Sequence, residues 1–196
     1  RPLSYDFWRA FAEIPSAVAI KMAPFNRYQT LEVMRGVIDA GRDDLVLYTG
    51  NDDNIVLDLI TPYRLPRNGQ VVERRIVGGL LGHWSVWTRA AVTLLERCQR
   101  IARGDELVND DVLALAIKVT DTNAAFFDVA NDFAGCIAGL HEVLRRQGLL
   151  EGIWCLDPDE TLGPGQRDQI DRVYAAYPEL NDDAFVAEHR DRWLSG

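Results

Sequence analysis

Lys21 is the residue whose type and position best suit covalent chemistry. It follows the apolar run 17–20, which lies between Pro15 and Pro24 and predicts a short buried strand. Partial desolvation at the carboxyl end of such a strand favours a neutral lysine amine, and a neutral amine attacks a ketone to form an imine. A second interpretation stays open, in which the lysine stem packs while its ammonium group reaches water.

A polar turn with three consecutive amide or carboxylate side chains follows the next predicted strand. The apolar run 45–49 leads into Gly50, Asn51, Asp52 and Asp53. These side chains suit a polar substrate group or a metal ion, and Asp52 or Asp53 also suits the N-cap of the helix that follows. The sequence favours capping and leaves ligand binding as the alternative.

His83, Trp84 and Arg27 are further candidates, each with a structural alternative. His83 and Trp84 follow the third predicted strand and are placed to line a pocket mouth, although a lone histidine suits a structural role as well. Arg27 offers a fork for a substrate carboxylate, or lies solvated on the surface. Gly78-Gly79 lacks the further glycines of a phosphate loop, so a strand kink or close packing explains it better.

Alternating apolar runs and amphipathic segments predict the elements that position these residues. Strands are expected near residues 17–21, 45–49 and 75–81, and helices near 30–40, 53–60 and 85–103. Three strand–helix pairs in order are typical of a parallel α/β sheet, whose sites form at the carboxyl ends of the strands. Lys21 occupies such an end.

Two segments depart from this alternation. An opening helix, capped by Ser4, is predicted to bury Leu3, Phe7 and Phe11, which recur every four residues. Residues 61–74 are predicted as a loop, in which Asn68-Gly69 suits the tip of a small hairpin.

Only helices are predicted after Gly104. They are expected near residues 113–127, 140–147, 165–177 and 182–194. The sequence therefore predicts two domains, an α/β domain over residues 1–104 and an all-helical domain over residues 105–196.

Composition limits the class of protein. The chain has 196 residues, 47% of them hydrophobic, and a net charge of −9, so it is globular and poorly suited to binding nucleic acid or anionic lipid. Its three cysteines form no CxxC pair, which argues against a zinc site or a disulfide framework and favours a reducing compartment, the cytoplasm. No apolar run reaches the roughly 20 residues of a membrane span, and no signal peptide is visible.

Three segments in order resemble one family of enzymes. Ala19-Ile20-Lys21, the segment 48–53 and Gly78-Gly79-Leu80-Leu81 are similar to the last three barrel strands of the dihydrodipicolinate synthase / N-acetylneuraminate lyase group of class I aldolases. The helical stretch containing Phe126-Phe127-Asp128 resembles the family's C-terminal helical domain. Residues 61–74 and the last ~40 residues fall outside the resemblance.

The resemblance implies both a fold and a site. The fold would be the C-terminal part of a (β/α)8 TIM barrel, its last three strand–helix units, followed by a helical domain. Lys21 would be the Schiff-base lysine that captures pyruvate or a related 2-oxo acid. Gly50 and Leu80 would form substrate-binding pocket walls, and we add Asn51 and His83 as substrate-binding candidates.

Two departures from the family pattern affect the details. Lys21 is followed by Met22-Ala23-Pro24-Phe25 instead of the usual Glu-Ala and a small hydroxyl residue, which leaves the second substrate open. The family's tyrosine and Thr-Thr carboxylate site would precede Arg1. Three strand–helix units cannot close a barrel and would leave two strand edges and half of a core exposed, so we expect the chain to be the C-terminal portion of a larger protein.

The expected function is that of a Schiff-base aldolase or lyase. Its partners would be a small 2-oxo acid and an aldehyde, with no metal and no organic cofactor, because the lysine imine itself accepts the electrons. By resemblance the protein would form a homo-oligomer, a tetramer or a dimer. Two alternatives stay open: a dehydratase or hydratase-aldolase of the same family, and a non-catalytic homologue that binds a small ligand.

Overall fold

The structure, a computed structural model, describes residues 3–80 and 82–195. Its helices are α1 (Tyr5–Ala12), α2 (Arg27–Asp39), α3 (Ile55–Ile60), α4 (Thr88–Arg103), α5 (Asp110–Phe126), α6 (Cys136–Arg146), α7 (Gln166–Ala176) and α8 (Asp183–Leu194). Its strands are β1 (Ala19–Met22), β2 (Val46–Thr49), β3 (Tyr63–Arg67), β4 (Gln70–Arg74) and β5 (Gly78–Gly79).

The strands form two small sheets. β1, β2 and β5 pair in parallel in that order, and Lys21 lies opposite Tyr48, which in turn lies opposite Gly78. β3 and β4 form an antiparallel hairpin whose tip residues, Asn68 and Gly69, have φ values of 51° and 79°. Two consecutive left-handed residues give the turn the twist that matches paired strands, as the hairpin alternative at Asn68-Gly69 requires. The prediction of residues 61–74 as a loop is wrong, because Tyr63–Arg67 and Gln70–Arg74 are paired strands.

The predicted segment of a (β/α)8 barrel is wrong. The described residues form one open sheet of three parallel strands and a separate two-stranded sheet, with no (β/α)8 pattern. A closed barrel has no free strand edge, whereas β1 and β5 each pair with β2 alone among the described residues, so this sheet has two edges. The molecule is instead a small α/β protein in which helices predominate.

Each parallel strand is buried on one face only. In β1, Ile20 and Met22 are buried while Ala19 and Lys21 are exposed, and β2 alternates in the same way. The buried side chains pack on the side of the sheet that α2 covers with Val33, Met34, Val37 and Ile38. The strands predicted to be buried are thus buried through alternate residues, not along their whole length.

The first helix has the predicted cap but a different packing face. Ser4 Oγ accepts a hydrogen bond from the backbone of Phe7, as predicted, yet Phe7 is 43% exposed and Ala12 is the fully buried residue. An added Cβ on Gly36 of α2 would lie 2.8 Å from the backbone nitrogen of Arg9. Glycine at this position lets the backbones of α1 and α2 approach closely, so contact follows Trp8 and Arg9 and not the phenylalanine face.

The chain divides into two compact units. The sheet unit comprises residues 1–81 and 95–116, and the helical unit comprises residues 82–94 and 117–196. The chain passes between them within α4 and again within α5, whereas the sequence predicts a boundary at residue 104. The helices predicted after Gly104 are all present in the described residues, and α6 ends before Gly148, whose φ is 72°.

Within the described part of the chain, no helix combines the length and the apolar character needed to cross a membrane.

Candidate active site

Lys21 lies at the mouth of an open cleft in the sheet unit. It is the third residue of β1, and its side chain is on the exposed face of the sheet. The cleft has a volume of about 240 Å³. Its other lining residues are mostly apolar: Leu3, Trp8, Met22, Ala23, Pro24, Gln29 and Val33. The residue predicted from the sequence as the nucleophile therefore lines a space of small-molecule size with mostly apolar walls.

Gly50 lies against the Lys21 side chain and close to the backbone of Leu80. An added Cβ on Gly50 would lie 2.8 Å from Lys21 Cε and 3.5 Å from the carbonyl oxygen of Leu80. The Gly50 N–H donates to the carbonyl of Met22 at 2.7 Å, which fixes this approach. The structure thus brings together three of the predicted site residues, and the absence of a side chain at Gly50 is what leaves room for the lysine stem.

The two lysines of the chain, Lys21 and Lys118, have different surroundings. Lys118 Nζ lies 2.5 Å from Glu179 Oε1 and forms an ion pair at the surface of the helical unit. Among the described residues, no hydrogen bond and no ion pair involves the amine of Lys21. The Lys21 amine is therefore open to an incoming carbonyl group, whereas the Lys118 amine is held by a carboxylate.

Asp52 is the titratable group whose charge is coupled to Lys21. Burial and the neighbouring charge of Asp53 raise the pKa of Asp52 to about 7, and the charge of Lys21 opposes this shift. A carboxyl group with that pKa both donates and accepts a proton at neutral pH. The predicted capping role is not what the structure shows, because Asn54 occupies the N-cap position of α3 and makes no side-chain cap.

Asn51 is buried between the loops that follow β1 and β2. Its side chain is 2% exposed, and its Oδ1 accepts a hydrogen bond from the backbone N–H of Phe25 at 3.1 Å. Its Nδ2 donates to Asp58 Oδ2 at 2.9 Å and to Thr30 Oγ1 at 3.2 Å. The amide is thus occupied at both ends by the protein, and the predicted substrate contact of Asn51 stays a prediction.

Arg27 is not a solvated surface residue, and its guanidinium group already has partners within the protein. Its Nη1 pairs with the buried carboxylate of Asp58 and donates to the hydroxyl of Tyr63 at 2.6 Å. Burial disfavours its charge, but the hydrogen bond and the negative charge of Asp58 outweigh burial and raise the pKa of Arg27. Arg27 therefore holds Asp58, and a substrate carboxylate would have to compete for it.

His83 lies in the core of the helical unit. It is 3% exposed, its Nδ1 is 2.6 Å from Asn123 Oδ1, and it packs edge-to-face on Trp87 and Phe126. Burial lowers its pKa to about 4, so the ring is neutral at pH 7. Its neighbour Trp84 is also buried. The surroundings of His83 give it a packing role, and its substrate-binding role stays a prediction.

The described residues contain no group of three or more His, Cys, Asp or Glu side chains arranged to hold a metal ion. A larger cavity of about 530 Å³ also lies in the sheet unit, lined by Leu31, Arg35, Ile38, Asp39, Leu65 and Pro66. It contains no nucleophile, so its size alone does not make it a better candidate than the Lys21 cleft.

Asp58 is the residue that the sequence analysis missed. Its side chain is fully buried beneath the polar turn that begins at Gly50. The signal was a single acidic residue inside the otherwise apolar helix Ile55–Ile60. A buried carboxylate needs compensating donors, so an isolated aspartate in an apolar segment is a marker for a polar network.

Comparisons with models of protein families and with curated proteins found no match to this chain.

Proposed function

We propose that the protein is a lyase or aldolase that forms a Schiff base between Lys21 and pyruvate or a related 2-oxo acid. The supporting observation is that Lys21 lines the cleft with no hydrogen bond or ion pair to its amine among the described residues, and that Gly50 lies against its stem. The resemblance to the dihydrodipicolinate synthase / N-acetylneuraminate lyase family supports the same chemistry. The proposal concerns the site and its reaction and does not depend on a barrel.

The reaction begins with attack of the neutral Lys21 amine on the ketone carbon. The new carbon–nitrogen bond gives a carbinolamine, and the ketone oxygen then leaves as water with both amine hydrogens, so that an imine remains. Protonation of the imine nitrogen makes it an electron sink. Loss of a proton from C3 then gives an enamine, whose C3 attacks an aldehyde carbon in the synthetic direction.

Asp52 is the proposed proton carrier for these steps. Carbinolamine breakdown needs a proton on the departing oxygen, and enamine formation needs a base for the C3 proton. The carboxyl group of Asp52 has a pKa of about 7 and senses the charge of Lys21, so it is suited to both transfers near neutral pH. No metal or organic cofactor enters this scheme, because the imine supplies the electron sink.

Two alternatives share parts of this site. A dehydratase or hydratase-aldolase of the same family would use the same imine and differ in its second step. A non-catalytic homologue would bind a small ligand at the cleft without reaction. A lysine paired with a carboxylate and sealed from solvent would favour that homologue, whereas Lys21 is exposed, lines a cleft and has no ion pair among the described residues, which favours the enzyme.

The remaining expectations belong to the same proposal. The partners would be a small 2-oxo acid and an aldehyde, and no nucleic acid. A cytoplasmic location and a homo-oligomer, a tetramer or a dimer, follow from the cysteine content and the family resemblance.

Reductive trapping with pyruvate tests the proposal directly. The protein is incubated with pyruvate and borohydride, digested, and the peptides carrying Lys21 and Lys118 are weighed. We expect a carboxyethyl adduct on Lys21 and little on Lys118, because protonation and pairing with Glu179 withhold the second amine. Absence of an adduct on Lys21 overturns the imine mechanism.

Matched variants separate chemistry from nonspecific labelling. Lys21→Arg should abolish trapping and Lys118→Arg should leave it unchanged. Gly50→Ala retains the lysine but places a methyl group where Lys21 Cε lies, so we expect a loss of trapping of about tenfold. Trapping that persists unchanged in Gly50→Ala would show that the reacting lysine does not use this cleft. Incubation with aldehydes, followed by product analysis, distinguishes an aldolase from a dehydratase.

A further inference from the structure

A single buried carboxylate collects hydrogen bonds from several elements of the sheet unit. The side chain of Asp58 in α3 is fully buried. It accepts hydrogen bonds from Thr49 Oγ1 at 2.6 Å, Asn51 Nδ2 at 2.9 Å and Tyr63 Oη at 3.0 Å. Asn54 Nδ2 donates at 3.3 Å, and Arg27 Nη1 supplies the balancing positive charge. These donors compensate for the desolvation of the carboxylate.

Asn51 connects the Asp58 carboxylate to the loop that follows β1. One hydrogen of its Nδ2 is directed at Asp58, which fixes the orientation of the amide, so Oδ1 is turned toward the backbone N–H of Phe25. Phe25 has a φ of 48°, a left-handed conformation that is costly for a residue with a side chain. The hydrogen bond from Asn51 helps to hold that conformation.

The two loops joined in this way flank the Lys21 side chain. The loop after β1 contributes Ala23, whose Cβ lies 3.0 Å from the position of an added Cβ on Gly50. Gly50 itself is the residue immediately before Asn51, and its N–H is bonded to Met22. A change in the orientation of Asn51 would therefore move both walls that contact the lysine stem.

We infer that Asp58 is a positioning residue for Lys21, acting through the Asn51 amide and the Phe25 backbone. The inference rests on the proposed function and adds to it a group that never touches substrate. The hairpin contributes through Tyr63 in β3, whose hydroxyl donates to the same carboxylate. Residues 61–74 thus take part in supporting the site, although they fall outside the family resemblance.

Trapping kinetics test the positioning role. Asn51→Ala removes the link to Phe25, and Asp58→Asn removes the acceptor that orients Asn51. For both variants we expect the limiting rate of pyruvate trapping on Lys21 to fall about tenfold, because a misplaced nucleophile reacts slowly after substrate has bound. The half-saturating pyruvate concentration should change by no more than about twofold, since ground-state binding is retained. The Phe25 amide should lose protection from hydrogen exchange.

A swap variant distinguishes positioning from a general loss of structure. In the double variant Asn51→Asp/Asp58→Asn, the carboxylate and the amide exchange places, so positions 51 and 58 still share a hydrogen bond and position 51 still accepts from Phe25. We expect this variant to recover at least half of the trapping rate lost in Asp58→Asn. Glu142→Gln, a change at another fully buried carboxylate, is the control and should leave trapping unchanged.

The outcomes separate the two proposals. If wild-type protein is not trapped by pyruvate, the proposed function fails and the positioning role is overturned with it. If wild-type protein is trapped and folded Asn51→Ala and Asp58→Asn react at the wild-type rate, only the positioning role is overturned. Loss of trapping in both single variants with no recovery in the swap variant also overturns it, because the link between positions 51 and 58 would then not be responsible.

Discussion

The carboxylates of Asp58 and Glu142 are both fully buried, one in the sheet unit and one in the helical unit, but their donors differ. Four of the five groups that donate to Asp58 are neutral, and they come from β2, β3 and the loop between β2 and α3. Among the described residues, the side chains that donate to Glu142 are all arginines. Arg145 donates at 2.7 and 2.9 Å, Arg146 at 2.9 Å and Arg167 at 3.1 Å.

The different donors indicate that the buried carboxylates of Asp58 and Glu142 have different roles. The arginines around Glu142 lie on α6 and α7, and their hydrogen bonds and charges lower the pKa of Glu142 to about 2 despite burial. That carboxylate is an electrostatic clamp between helices. Asp58 instead accepts hydrogen bonds mostly from neutral groups beside the Lys21 cleft, which suits it to fixing the orientation of those groups. Buried carboxylates are thus distinguished by their donors, since burial is the same for both.

The largest expected effect is on the stability of the helical unit. Glu142→Ala leaves Arg145, Arg146 and Arg167 without their shared carboxylate, and such removal of one partner from a buried ion pair costs about 3–5 kcal/mol of unfolding free energy. Urea unfolding followed by circular dichroism measures the loss. The control is Arg103→Ala, which breaks a surface pair with Asp105 and should cost less than about 0.5 kcal/mol.

Urea unfolding of Asp58→Asn tests the contrast between Asp58 and Glu142. An isosteric amide at Asp58 retains part of the hydrogen bonding, and we expect it to cost less unfolding free energy than Glu142→Ala while reducing Lys21 trapping far more. Slower pyruvate trapping on Lys21 in folded Glu142→Ala would contradict this contrast.

A smaller change in stability is expected when the pH is lowered. The pKa of Glu142 is lower in the folded chain than in the unfolded chain, so the unfolded chain takes up the proton first as the pH falls. The stabilisation from Glu142 is complete above about pH 5 and is lost as the pH falls through 4 toward about 2, a change of about 2–3 kcal/mol. Glu142→Gln should lack this contribution. Equal acid sensitivity of the two proteins between about pH 5 and pH 2 would contradict the clamp.

The smallest expected effect on stability is that of Asp52, whose pKa is shifted in the opposite direction to that of Glu142. Its pKa of about 7 lies above the value in an unfolded chain, so its contribution to stability is present at low pH and is lost as the pH rises from about 4 through 7. Asp52→Asn should therefore be more stable than wild type above about pH 7, by about 1 kcal/mol or less after solvent screening. Thermal unfolding at pH 5 and pH 8 measures the difference, which should be smaller at the lower pH. A constant difference across this range would exclude a raised pKa at Asp52.

Much of the local structure followed from the sequence. Ser4 at the first helix, the Asn68-Gly69 turn and the parallel run of strands through Lys21 and Tyr48 were predicted because turn residues, caps and apolar runs act over a few neighbouring positions. The proximity of Lys21, Gly50 and Leu80 was expected from resemblance and is observed in the sheet unit.

The errors lie where distant segments meet. The phenylalanine face of α1 was predicted to be buried, but packing followed Gly36, a glycine in another helix whose importance no local pattern reveals. Arg27 was placed on the surface because its partner Asp58 lies 31 residues away. The barrel was inferred from a family resemblance of three segments in order, and three such segments do not specify how many strands form a sheet or which face remains exposed.

The amino-acid sequence by itself determined most of the secondary elements, the acidic globular character and a lysine at the end of an apolar strand, since each depends on composition or on neighbours along the chain. Only the tertiary structure decided that Lys21 lines a cleft, that Asp52 carries a raised pKa, and that Asp58 joins two loops through Asn51. These properties depend on burial and on distances between segments far apart in sequence, which are set only when the chain is packed.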